Sequence, residues 1–163
     1  MRRFFAVTMA CICVLCGGCA VADVPPVTAG FSCAVTIQAG DFSVAGTLSR
    51  PGAGQLILAC TAPKTLAGVT ARVDGDGVTL SRGGLTAAFS QAEFPQEALF
   101  LRLCRVLDAV ARCDTARAGK AQGVCGSEPY TLTYDAASGY LCTLSVPNAA
   151  FSVEFSDFSQ ISA

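Results

Sequence analysis

Residues 69–90, VTARVDGDGVTLSRGGLTAAFS, contain three short runs in which apolar and polar side chains alternate. This period of two is typical of β-strands with one buried face. Asp-Gly pairs at 74–77 and an Arg-Gly-Gly turn at 82–84 separate the runs, and such short glycine turns favour tight hairpins. The stretch therefore predicts an antiparallel meander.

The same alternation occurs on both sides of this stretch. Before it, residues 42–48 and 56–60 alternate around a turn at 50–54. Near the C-terminus, three more alternating runs occur at 130–134, 140–146 and 151–155, and turn residues at 135–139 and 147–148 separate them. Short connections of this kind predict antiparallel pairing throughout.

Residues 94–113 have a different period, close to 3.6. Pro95 suits the first turn of a helix, Glu97 suits its positive end, and Arg112 suits its negative end. One face contains only apolar residues: Leu99, Phe100, Leu103, Cys104, Val106, Leu107, Val110 and Cys113. The pattern predicts one long amphipathic helix, which must cover the apolar face of the sheet.

The element order is therefore strands, helix, strands, and the fold class is mainly β (α+β). We expect an antiparallel sheet of about nine strands covered by one helix, at residues 31–158. Residues 1–18 are predicted to be a lipoprotein signal peptide, residues 19–30 a lipidated cysteine and tether, and residues 159–163 a C-terminal tail.

The N-terminal segment has the order of a secretory signal: Met1-Arg2-Arg3, then an apolar run to Cys16, then small residues. Leu15-Cys16-Gly17-Gly18-Cys19 resembles a bacterial lipobox, which makes Cys19 the predicted lipidation site. Two alternatives stay open. Cleavage at Ala20-Val21-Ala22 would release a soluble protein, and residues 4–22, uncut, are long enough to span a bilayer.

Residues 20–30 follow Cys19 and include Pro25-Pro26, so we interpret them as an extended spacer between the anchor and the folded body. Cys16 and Cys19 also have the C-x-x-C spacing of redox pairs. A redox pair needs a strand–helix setting that lowers a thiol pKa, and the end of a signal sequence offers none.

The lipobox, the tether, about six hairpin strands, one helix and three or four closing strands resemble the bacterial lipoprotein-carrier (LolA/LolB-like) superfamily. The runs at 42–48, 56–60 and 151–158 are also similar to small, uncharacterised lipoproteins of anaerobic Gram-positive bacteria. The resemblance implies a strongly curved sheet, or half-barrel, with room for acyl chains between sheet and helix. It supplies no signature motif, so it assigns no individual residue.

Beyond Cys19, six cysteines remain: Cys33, Cys60, Cys104, Cys113, Cys125 and Cys142. An exported protein can form disulfides, and one bridge is compatible with the sequence. Several of these residues nevertheless occupy apolar positions of strands and helix. We therefore expect most of them to be free, buried thiols that behave as small hydrophobic residues.

Composition argues against several functions. The chain has no histidine, which removes the commonest general base and most catalytic zinc sites. Without residues 1–18, the chain has nine basic and twelve acidic residues, and this net charge of −3 disfavours nucleic-acid binding. The Asp74-Gly75-Asp76-Gly77 turn lacks the later ligands of a calcium loop. We expect no enzyme, no cofactor, no metal site and no nucleic-acid partner.

The candidate functional surface is therefore the apolar layer between helix and sheet, since uncovered apolar surface usually binds a ligand or a partner. An apolar ligand there would contact residues of the helix and of the closing strands, namely Leu99, Leu103, Tyr130, Tyr134, Phe151, Val153 and Phe155. The alternative is an envelope protein partner with no small-molecule ligand, which could pair with an aromatic edge at 151–158.

Overall fold

The computed structural model describes residues 30–112, 119–135 and 137–161. They form ten strands and one α-helix, α1 (Leu99–Ala111). Six strands precede the helix: β1 (Phe31–Ala39), β2 (Phe42–Arg50), β3 (Gln55–Ala62), β4 (Thr70–Asp74), β5 (Gly77–Arg82) and β6 (Leu85–Ser90). Four strands follow it: β7 (Lys120–Cys125), β8 (Glu128–Tyr134), β9 (Leu141–Val146) and β10 (Phe151–Gln160). A short 3-10 turn, Pro147–Ala149, joins β9 to β10.

All ten strands belong to one antiparallel sheet in the order β6-β5-β4-β3-β2-β1-β10-β9-β8-β7. The first six strands form the predicted meander. The chain then crosses through α1 to the far edge of the sheet and returns strand by strand, until β10 pairs with β1. Within the described ranges the sheet is open, with β6 and β7 at its edges. The mainly β prediction is confirmed, with ten strands in place of about nine.

One face of the sheet is buried, as the alternating patterns predict. In β1, Cys33, Val35 and Ile37 point to this face, and the residues between them are half-buried. Cross-strand partners share a face in antiparallel sheets, so the buried side chains line up from strand to strand. They form a single core with the underside of α1.

The sheet curves around the helix. Strands β4 and β7 both contact α1, although seven strand spacings separate them. On a flat sheet those spacings amount to about 34 Å, whereas a helix of this length measures about 20 Å. A flat sheet could not bring both strands to the helix, so the sheet must fold up on both sides of it.

The helix starts later than predicted. It begins at Leu99, because Ala98 has an extended ψ of 128° and no side chain caps the helix. Before it, the Gln96 side chain donates hydrogen bonds to the carbonyl groups of Gln91 and Phe94, which holds residues 91–98 as a loop. The prediction that the helix runs from 94 was therefore wrong by about one turn and a half.

A β-bulge changes the face of β10 near its end. Ser32 pairs with Ser159 and Ala34 pairs with Ser156, so β10 has an additional residue at this point. Asp157 absorbs it with a φ of +52°. As a result the ring of Phe158 lies on the buried face and contacts Phe31 and Phe155.

The alternative function used residues 151–158 of β10 as an edge for a partner, but Phe151 to Glu154 pair with β9 on one side and with β1 on the other and so offer no edge. The predicted signal peptide, the lipidation site Cys19, most of the tether, Cys113 and the last two residues of the predicted tail lie outside the described residues.

Candidate functional site

The seven predicted ligand-contacting residues lie together in the core between sheet and helix. Six of them are buried, and Leu99 is half-buried at the start of α1. The six are Leu103, Tyr130, Tyr134, Phe151, Val153 and Phe155. In this structure they pack against one another and against the rest of the core.

Tyr130 shows how closely this layer fits. Its ring covers the backbone of Gly123 on the neighbouring strand β7, which pairs with it in register. A Cβ on Gly123 would lie 2.4 Å from the Tyr130 hydroxyl oxygen, so only glycine leaves space for the ring. The tyrosine fills the layer at the β7 side of the helix.

At the β5–β6 end of the sheet, the same face is less completely covered. Val78 on β5 is fully buried, and its cross-strand partner on β6 is Phe89. Phe89 is 41% exposed, and Leu85, on the same face of β6, is 79% exposed. Every residue of β6 is exposed. The buried face of the sheet thus continues past the helix as uncovered apolar surface.

Three aromatic rings close the gap between this surface and the helix. Phe94, in the loop before α1, lies 5.3 Å from Phe89 and 5.4 Å from Phe100, measured between ring centroids. Tilted and edge-on contacts at such distances are favourable for aromatic pairs. We call Phe89, Phe94 and Phe100 the aromatic bridge.

A buried ion pair joins the helix to the sheet at another point. Arg50, at the end of β2, has no solvent exposure, and its Nη2 donates to Oδ1 of Asp108 at 2.7 Å. The Asp108 carboxylate also accepts from the backbone N–H of Gly54, at 3.2 and 3.1 Å. One helical carboxylate therefore holds both β2 and the turn that follows it.

Sequence reasoning missed this pair because it assigned Arg50 to a turn. The signal was present, since Val44, Gly46, Leu48 and Arg50 continue one alternation toward the buried face. A charged side chain at an inward position needs an opposite charge nearby. Asp108, on the sheet-facing half of the helix, could have been proposed on that ground.

A surface cleft of about 250 Å³ lies between α1 and the β7–β8 turn. Its polar side chains already have partners. Arg102 contacts Glu97 and lies 3.6 Å from Glu128, and Arg105 donates to the side chain and backbone of Gln96. The cleft is therefore lined by two arginines that already bind neighbouring side chains, Arg102 through ion pairs and Arg105 through hydrogen bonds to Gln96.

The five cysteines of the described ranges are free thiols, and three of them, Cys33, Cys60 and Cys104, are buried. Burial raises the pKa of the Cys33 thiol to about 12. Burial, with the nearby Asp108 carboxylate, raises the pKa of Cys104 to about 11. Because the thiolate is the reactive form, these side chains are inert at neutral pH and act as core residues.

Over the same described ranges, no group of three or more His, Cys, Asp or Glu side chains is placed to share a metal ion. No helix in the described part of the chain is long and apolar enough to cross a bilayer.

The comparisons with known proteins give a fold likeness only. No protein-family model matches the chain, and no curated protein matches it. Among solved structures it is similar to a LolA superfamily protein from Nitrosomonas europaea, with 9% identity, coverage of 83% of this chain and 88% of that chain, and a TM-score of 0.40. It is also similar to LprF from Mycobacterium bovis, with 14% identity, coverage of 84% and 89%, and a TM-score of 0.41. Neither likeness is strong enough to support an argument about function.

Proposed function

We propose that this protein is an extracytoplasmic lipoprotein, anchored to the membrane, whose domain binds a lipid or another apolar ligand between sheet and helix. The observation that supports this is a mismatch of areas. In the described ranges, a ten-stranded sheet presents one apolar face to one 13-residue helix, and Leu85 and Phe89 on that face stay exposed. Apolar surface left open beside a core is a usual feature of ligand sites.

The ligand would enter from the β5–β6 side of the helix. There the uncovered apolar face meets the aromatic bridge, and Phe94 lies in a loop that Gln96 holds by two side-chain hydrogen bonds. An acyl chain could lie along the aromatic bridge, in contact with the Phe94 ring and its neighbours Phe89 and Phe100. Such a chain would cover these rings from water and would break no strand pairing.

Past the bridge, an acyl chain would reach the underside of α1 at Leu99 and Leu103. The floor of the site would be Phe151, Val153 and Phe155 on β10, with Tyr130 and Tyr134 toward the β7 side. Because these side chains now pack together, a ligand could reach the floor only if the helix moved away from the sheet. We assign no catalytic step to this layer.

The anchor would be a diacylated Cys19, and residues 20–30 would separate it from the first strand. This part of the proposal depends on the signal and lipobox pattern of the first nineteen residues. An anchored binding domain would act on apolar molecules that the membrane itself supplies, over distances set by the short spacer.

A fluorescent fatty-acid analogue tests the ligand site directly. We expect the full-length protein, purified in mild detergent, to bind this probe, and Phe94→Glu to weaken binding about tenfold, the effect of losing roughly 1.4 kcal/mol of apolar contact. The matched control is Phe42→Glu, since Phe42 is 48% exposed at the start of β2, away from the bridge. Phe94→Leu should retain most of the binding.

The experiment has clear contrary results. If wild-type protein does not bind the probe and carries no lipid in native mass spectrometry, the ligand proposal is wrong. Equal losses for Phe94→Glu and Phe42→Glu would place the probe outside the site described here. Far-UV circular dichroism of each variant verifies that the sheet is intact.

A further inference from the structure

We propose that the free edge of β6 is a dimer interface, at which two copies of this chain pair their β6 strands antiparallel with Ala87 on the two-fold axis. This goes beyond ligand binding, because it concerns the hydrogen-bonding edge of the sheet, although the interface shares Phe89 with the aromatic bridge. The proposal is based on the backbone of β6, its exposed side chains and the charges at its two ends.

The backbone of β6 offers hydrogen bonds to an additional strand. Gly83 and Gly84 form a two-residue turn with φ values of +56° and +84°, and the flanking residues Arg82 and Leu85 pair directly. In such a hairpin the flanking pair exchanges both of its hydrogen bonds, and every second pair does so along the ladder. The N–H and C=O groups of Thr86 and Ala88 and the N–H of Ser90 therefore point to the free edge, whereas the Ser90 carbonyl already accepts from the N–H groups of Glu93 and Phe94.

Natural sheets protect such edges with charged residues, prolines or bulges. Strand β6, LTAAFS, contains no charge and no proline, and its pairing with β5 is regular along its whole length. The other edge is different, since β7 begins with Lys120 and includes Gly123. Of the two edges, β6 is the one suited to accept another strand.

The side chains select the register. With Ala87 opposite Ala87 of the second copy, Leu85 lies directly opposite Phe89 on the helix side of the joined sheet. These two residues are 79% and 41% exposed in one copy, and each would cover the other. Directly opposed residues have Cβ atoms about 5 Å apart, close enough for such contact. If the register of the two β6 strands shifted so that Ala88 lay on the axis, Leu85 would instead lie opposite polar Gln91.

The charges select a second copy in the antiparallel direction. At the hairpin end of β6, Arg82 donates to the Thr65 carbonyl, next to exposed Lys64. At the other end of β6, Asp76 lies in the β4–β5 turn and Glu93 lies in the loop after β6, and both are exposed. Antiparallel self-pairing brings the basic end of each copy to the acidic end of the other, whereas parallel pairing would bring like charges together.

The expected interface is small, below about 1,200 Å² in total, which is typical of dimers that dissociate. Sedimentation velocity on the full-length protein in mild detergent should therefore show a concentration-dependent dimer. Leu85→Lys and Ala88→Pro should each give a monomer. The backbone N–H of Ala88 points to the free edge. Proline at this position therefore removes a hydrogen bond to the second copy and leaves the hydrogen bonds between β5 and β6 unchanged. Val124→Lys is the matched control, since Val124 is 61% exposed on the opposite edge, and it should remain dimeric.

Cross-linking in membranes tests the register. With a mild oxidant added, Ala87→Cys should form a disulfide between the two introduced thiols, identified by peptide mass, and Val124→Cys should not. The proposal fails if wild type stays monomeric up to about 100 µM. It also fails if Leu85→Lys leaves the dimer intact or Val124→Lys disrupts it equally. Acyl-probe binding by Leu85→Lys shows whether the ligand site works without the dimer, so the two proposals can fail separately.

Discussion

Arg50 and Asp108 have unequal surroundings, and this decides what their substitution would cost. The guanidinium is fully buried, whereas the carboxylate is 22% exposed. Removing the carboxylate therefore takes an ion-pair partner away from the more deeply buried charge, and breaking a buried pair in this way is strongly destabilising.

We expect Asp108→Asn to lower the free energy of unfolding by about 3 kcal/mol, the lower end of the range for breaking a buried pair. Asp74→Asn is the control, because Asp74 pairs with Arg72 in an exposed ion pair and should cost less than about 1 kcal/mol. Urea denaturation measures the free energy of unfolding of both variants, with one m-value fitted for wild type and variants. Equal effects for the two variants would show that the buried pair has no special role in holding the helix.

Individual residues also mark how far sequence reasoning reaches. The seven residues predicted to contact a ligand share one core, because each lies at an apolar position of a regular strand or helix. The pattern could not show how closely they pack there. The buried position of Arg50 was not predicted. Proline and glycine follow this residue, so it was interpreted as part of a turn although it continues the alternation of β2.

At the level of elements, regular strands were predictable and irregularities were not. Period-two runs located the hairpins at 74–77 and 82–84 correctly. The bulge at Asp157 was not visible, since no glycine marks it, and therefore Phe158 could not be assigned to the buried face. The start of the helix was misjudged because Pro95 and Glu97, both common in first turns, lie in the loop before it.

The bulge leads to a prediction for β10. Asp157 has a positive φ, which aspartate tolerates and a β-branched residue does not. We expect Asp157→Val to destabilise the domain by roughly 1–2 kcal/mol. In the same strand, Glu154→Val replaces an exposed residue of ordinary strand geometry and should cost little. A thermal melt compares the two, and an equal loss for both would mean that the strained backbone is not the cause.

For the whole molecule, the order of elements was enough to predict an antiparallel sheet under one helix. Which strands lie at the edges was not predictable, because β10 returns to pair with β1 at a sequence separation of 112 residues, from Ala39 to Phe151. No local pattern encodes a closure of that span. The curvature likewise depends on where the helix meets the sheet.

The predicted anchor concerns the whole chain and has a direct test. The intact mass of the protein from the membrane fraction should correspond to an N-terminus at Cys19 with an added diacylglycerol. Cys19→Ala should abolish that mass. A wild-type N-terminus at Asp23 would instead mean that the domain is released in soluble form.

The pairing of β1 with β10 has a further consequence. The backbone N–H of Ile161 donates to the carbonyl of Gly30 at 3.0 Å, so the two ends of the folded body lie side by side. A linker of a few residues could join them, and the chain could be opened at the Gly83-Gly84 turn without changing any strand neighbour. A gene for this circularly permuted chain could therefore encode the same ten-stranded sheet.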